Sequence, residues 1–178
     1  GASMKARVLS ITAVALLFAS AAAAQTKISG KQDCPKPEVI GTTDPGDKPG
    51  HTMQLVKDAC TWTTPIEMAG AKSKDGTSYA FSDVTATRLT NNGTYVAEMD
   101  NGDKFYVTFH ESAMMKDGVP QGDKGTWSFT GGTGKLKGLT GKGTHTVTMN
   151  ADGTSTVSVE GDYSIAATPK KAMTKNPS

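Results

Sequence analysis

Arginine is nearly missing from this chain of 178 residues, with Arg7 and Arg88 its two representatives among 19 basic side chains. Nucleic-acid surfaces draw on clustered arginine and lysine, so this scarcity, with the lysines scattered, excludes that class of partner. Cysteine is almost as rare. Cys34 and Cys60 stand alone, with no CxxC pair for zinc and no CxxCH for covalent haem. GxSxG, HExxH and GxxxxGK[ST] are absent, and with them the signatures of α/β-hydrolases, zinc peptidases and P-loop phosphate binders. No stretch beyond residue 24 keeps a 3.6-residue apolar period, so helices are not expected to carry the fold.

What is present begins with an address. Gly1 to Ser3 ahead of Met4 reads as a cloning remnant (residues 1–3). Residues 4–24 carry Lys5 and Arg7, an apolar run from Val8 to Ala19, and the small residues Ala22 to Ala24. That is the pattern of a secretory signal peptide cut between Ala24 and Gln25. The apolar run is too short for a membrane span and no stop-transfer segment follows. The expectation is a periplasmic or secreted protein with no stable membrane anchor. Removing Lys5 and Arg7 from the 19 basic residues leaves 17, equal to the 17 acidic ones. In an oxidising compartment Cys34 and Cys60 are expected to form one disulfide. Lys170, Lys171 and Lys175 place residues 167–178 as a solvated, flexible tail.

Residues 25–50 are polar and rich in proline, glycine and aspartate, and read as an extended N-terminal arm with one short strand at Glu38 to Gly41. Residues 51–166 read as a single all-β domain. His51 to Val56 and Cys60 to Ile66 are expected as two strands around a Lys57-Asp58 turn. Five Asx-Gly pairs follow: Asp75-Gly76, Asn92-Gly93, Asn101-Gly102, Asp117-Gly118 and Asp152-Gly153. Such pairs suit the positive φ of tight hairpin turns, and the sequon at Asn92 is read as part of one. Between them run Ser78 to Leu89, Thr94 to Met99, Lys104 to Glu111, Gly125 to Thr130, Gly143 to Met149 and Thr154 to Ala166. Alternation within these runs puts Phe105, Val107 and Phe109 on one face and Tyr106, Thr108 and His110 on the other. Short strands at this spacing predict an antiparallel barrel of about eight strands, with a sandwich as the alternative.

Six glycines crowd the segment Gly131 to Gly143. Within it, Phe129-Thr130-Gly131-Gly132-Thr133-Gly134-Lys135-Leu136-Lys137-Gly138 resembles the GGTG-x-F/L element of the allene oxide cyclase and dirigent barrel superfamily. Leu136 stands where those families usually have phenylalanine, and Gly138 to Gly141 looks like their small-residue return. Trp127 and Gly143-Thr144 around it are similar to a group of small exported bacterial proteins of undefined function. The resemblance implies an eight-stranded antiparallel barrel of lipocalin-like (calycin) shape, and a small hydrophobic or phenolic ligand. Plant relatives cyclise a fatty-acid epoxide or steer phenolic radical coupling. The matched residues form a turn, so that chemistry does not transfer by fold alone. Relatives often form dimers or trimers, which implies a homo-oligomer.

The candidate chemistry is sparse. His110 and Glu111, with Glu98 on the next strand, form the best local acid/base set, against the plainer reading of charged strand ends. His145 shares a face with Val147 and Met149 and is expected to point into the barrel. With Trp127, Phe129 and Met149 it makes the candidate ligand-binding set. His51, His110 and His145 lie on separate strands without HxH spacing, so neither a metal site nor a cofactor is assigned. Three functions follow as alternatives. The barrel binds a small, largely apolar ligand; it is an isomerase- or cyclase-like enzyme; or it is an interaction protein with a filled interior.

Overall fold

The structure, a computed structural model, describes residues 25–166; the expected signal peptide and C-terminal tail lie outside the described residues. The strands are β1 (Thr26–Cys34), β2 (Glu38–Thr43), β3 (Thr52–Thr64), β4 (Glu67–Met68), β5 (Ala71–Val84), β6 (Arg88–Met99), β7 (Lys104–Lys116), β8 (Val119–Gly132), β9 (Leu139–Met149) and β10 (Ser155–Ile165). In space they run β3-β1-β10-β9-β8-β7-β6-β5, and β5 pairs again with β3. Eight antiparallel strands therefore close into a barrel, as the alternation and the glycine-turn resemblance implied. The short β4 hangs on the start of β5, and β2 lies along the half of β3 that β1 does not reach.

The N-terminal segment differs from the expected arm. Its first half, β1, is a full barrel strand laddered to β10 from Thr26↔Tyr163 to Cys34↔Ser155. Its buried side is Ile28, Gly30, Gln32 and Cys34, of which only Ile28 carries a sizeable hydrocarbon side chain. Each of the others has a specific task. A side chain at Gly30 would overlap Trp62 and Ile66, Gln32 Oε1 accepts from the Tyr95 hydroxyl at 3.0 Å, and Cys34 is bonded to Cys60. The expected disulfide is present and links residues 26 apart in sequence. Closing a loop of that length is worth ~3 kcal/mol.

Two further corrections concern turns. Lys57-Asp58 is no turn: β3 passes straight through it, and Asp58 shares the inward side with Val56, Cys60 and Trp62. Asp75-Gly76 and Asn92-Gly93 lie inside β5 and β6. Asn101-Gly102, Asp117-Gly118 and Asp152-Gly153 do stand in turns, their glycines at φ 83°, 76° and 85°. The two misplaced glycines answer to sterics. A Cβ on Gly76 would strike the Tyr95 ring, and one on Gly93 the Phe109 ring. Gly143 and Gly161, ladder partners on β9 and β10, give the same room to the Trp127 indole. Aromatic rings of one strand thus lie over glycines of the next.

The lower end of the barrel is closed by apolar packing. Trp62, Ile66, Met68, Ala97, Met99, Phe105, Phe129, Leu136 and Leu139 form one buried cluster. Leu136 arrives on a 3-10 turn (Gly134–Leu136) inside the glycine segment and is 1% exposed. Phe105 meets Phe129 edge-on with ring centroids 5.6 Å apart, and Phe129 meets Trp127 at 4.9 Å. Such pairs add ~0.5–1.5 kcal/mol beyond their buried area.

The ring-over-glycine packing is open to a direct test. In Gly161→Ala the new methyl would lie 2.5 Å from the Lys142 carbonyl oxygen and closer still to Trp127. Overpacking of this kind costs ~1–3 kcal/mol, to be read from urea unfolding. Unchanged stability would show that the indole does not depend on that glycine.

Candidate functional site

Inside the barrel lies a cavity of about 440 Å³, within the ~300–1,000 Å³ common for small-molecule sites. Position along the strands sorts its lining into three levels. Val84, Leu89, Met115, Pro120 and Met149, near the strand ends, make an apolar mouth. Trp62, Tyr95, Phe105, Trp127 and Phe129 make an aromatic floor. Between them runs a polar belt that includes Asp58, Asn91, Glu111, Asp123 and His145.

The belt is assembled by ladder register. Asn91 on β6 stands opposite Glu111 on β7, Glu111 opposite Gly125 on β8, and Gly125 opposite His145 on β9. Gly125 is the gap that lets the outer two meet. Any Cβ there would overlap the His145 imidazole and come 2.5 Å from the His110 carbonyl oxygen. Across this gap His145 Nε2 donates to Glu111 Oε2 at 2.7 Å. Asn91 Nδ2 donates to Glu111 Oε1 at 2.6 Å, so both carboxylate oxygens are engaged. Phe109 packs edge-on against the imidazole, centroids 6.1 Å apart. Both oxygens of Glu111 are thereby held by protein partners.

Asp123, two residues before Gly125, is placed differently. It is 6% exposed, and its Oδ1 has no hydrogen-bond partner in the protein. Burial pushes its carboxyl from the usual 3.8 up to about 7; the Glu111 charge adds to the rise, while His145 and the Lys124 amide draw it partly back. Across the lumen, burial lifts Asp58 to about 6, again with the Glu111 charge adding and the Ser78 hydroxyl opposing. A carboxyl that titrates near neutrality with a free oxygen can bind a donor or exchange a proton. Deeper down, Trp62 Nε1 donates to the Tyr95 hydroxyl at 2.9 Å, which donates on to Gln32. Burial raises the Tyr95 phenol, so this chain stays neutral and structural.

The residues singled out from the sequence separate accordingly. His145, Trp127, Phe129 and Met149 all line the cavity. Glu111 does too, but its neighbour His110 points outward and bonds Asn92 Oδ1 at 2.8 Å. Consecutive strand residues face opposite sides, so His110 and Glu111 cannot act as a pair. Glu98 is on the outer wall, laddered to Lys104. The three histidines do not converge: His51 lies between Asp47 and Asp83 at the start of β3. Among the described residues no group of three or more potential ligands is placed to hold a metal ion. Sequence reasoning missed Asp58, Asn91 and Asp123. Stepping back by four from Trp62, Tyr95 and Trp127 along their strands would have found all three.

No protein-family model and no curated protein matches the chain. Among solved structures, a protein of unknown function from the DUF3224 family of Shewanella oneidensis MR-1 is 18% identical, with a TM-score of 0.47 over 82% of this chain and 100% of that one. The pterocarpan synthase dirigent protein GePTS1 is 14% identical, with a TM-score of 0.46 over 83% of this chain and 90% of its own. Likeness at this level assigns no activity to the chain.

The belt has a consequence for stability. In the unfolded chain Asp123 loses its proton near 3.8, in the fold near 7. Between those values the folded state holds the extra proton, so stability falls as pH rises, then levels above about 7. Asp123→Asn is expected to flatten that decline and to be more stable than the parent at pH 8, as measured by thermal melts across pH. Parallel curves for parent and variant would place Asp123 outside the lumen.

Proposed function

We propose that this protein is exported and binds a small, largely apolar ligand in its lumen, with the ligand's polar group at the belt. The observation that carries this reading is the cavity itself: a lumen left open between an apolar mouth and an aromatic floor. A barrel filled by its own side chains would have no such space. Export is supported by the Cys34–Cys60 disulfide, a bond that persists in oxidising compartments. Among the described residues no helix is long and apolar enough to cross a membrane.

A second reading is favoured by Asp123. A carboxyl that titrates near 7 with one free oxygen suits proton transfer to or from a bound molecule. An isomerase- or cyclase-like activity would use Asp123 as the acid or base, with Glu111 and His145 fixing the charge beside it. Binding is the reading common to both.

Titration with 1-aminoanthracene, an apolar fluorescent probe, tests it. Saturable enhancement at one site per chain is expected, displaced by lumen ligands. Val147→Phe, which adds a ring beside Asp123 on the ladder, should weaken it by about tenfold or more, the loss of ~1.4 kcal/mol. Absence of saturable binding in the folded parent would remove the reading. A bound molecule that gains solvent deuterium only with Asp123 intact would add the enzyme activity.

A further inference from the structure

The unsatisfied atoms of the belt are all of one kind. Asp123 Oδ1 and Asn91 Oδ1 are buried side-chain oxygens at the lumen with no partner in the protein. Both are acceptors. Asn91 has spent its amide on Glu111, and His145 has spent Nε2 on the same carboxylate. What a ligand must bring to this level is therefore donors.

Charge points the same way. The titratable groups that line the lumen are Asp58 from β3, Tyr95 from β6, Glu111 from β7, Asp123 from β8 and His145 from β9, with Lys36 between β1 and β2. Three are carboxyls. His145 is bonded to one of them, and Lys36 is exposed, next to the Cys34 end of β1. No arginine reaches the cavity. A low-dielectric lumen with this balance focuses a field that attracts cations and repels anions.

We propose that the lumen takes a ligand bearing a protonated primary amine, its ammonium on Asp123 and its apolar body among Trp127, Phe129 and Trp62. This rests on the lumen-binding reading and narrows it. An ammonium carries three donors and no acceptor, which matches the open atoms of the belt. An alcohol offers one donor with lone pairs that find little here. A carboxylate offers acceptors alone and meets Glu111 and Asp123 as like charges. The aromatic floor suits the body, because Trp62, Trp127 and Phe129 all line the cavity.

The test compares three ligands on one skeleton, 4-phenylbutylamine, 4-phenylbutan-1-ol and 4-phenylbutanoate, by calorimetry at pH 8. The amine is expected to bind about tenfold or more tighter than the alcohol, the advantage of one charge-assisted hydrogen bond, and the carboxylate weakest. Asp123→Asn should bring the amine to within about threefold of the alcohol. Asp58→Asn, with Asp123 intact, should keep most of the preference. Equal binding of amine and alcohol, or tighter binding of the carboxylate, overturns the amine assignment while lumen binding stands. A preference that survives Asp123→Asn in a folded variant also overturns it. If none of the three binds, and 1-aminoanthracene does not either, both the assignment and the lumen reading fall.

Discussion

The molecule depends on a steric exchange between rings and glycines. Four inward-pointing rings, Tyr95, Phe109, Trp127 and His145, each lie where the neighbouring strand has no side chain, over Gly76, Gly93, Gly143 with Gly161, and Gly125. Glycine within a strand weakens it by itself. Here the loss is offset because each ring covers the exposed backbone and takes the volume a Cβ would have occupied. The rings are thereby held against the wall, and the lumen beyond them stays open.

The same exchange sets the electrostatics. Without the gap at Gly125, His145 could not reach Glu111, and the half-buried Glu111 carboxyl would keep one partner in place of two. A buried charge needs partners in proportion to its desolvation. Glu111 receives them from β6 and β9, on either side of the strand pair that carries it. Asp123 and Asp58 receive fewer, and respond by holding their protons to higher pH. One carboxyl held by two partners thus lies beside two carboxyls that titrate close to neutrality, a division of roles that follows from register and spacing.

Much of this was legible in the sequence, and the limits have physical causes. The barrel followed from the alternation in β7 and the turns at Asn101, Asp117 and Asp152, and the inward set His145, Trp127, Phe129 and Met149 from parity. The strand β1 was illegible because its buried side is largely glycine, glutamine and cysteine, which carry no apolar pattern. Asp75-Gly76 and Asn92-Gly93 misled because an Asx-Gly pair serves two purposes: positive φ in a hairpin, or an empty place under a ring. Which applies depends on the residue opposite, and that is a matter of register between strands. The His110-Glu111 pair failed on the simplest rule of all, since neighbours in a strand face opposite ways.

The barrel encloses an ionisable belt, with Asp123 buried in it beside a paired Glu111. Carbon-13 NMR titration of the aspartate side-chain carboxyls, with Asp123 identified through its asparagine variant, tests this most directly. A carboxyl resonance for Asp123 that titrates near 7 is the predicted result. A midpoint near the ordinary 3.8 would mean a solvated aspartate, and would contradict the account.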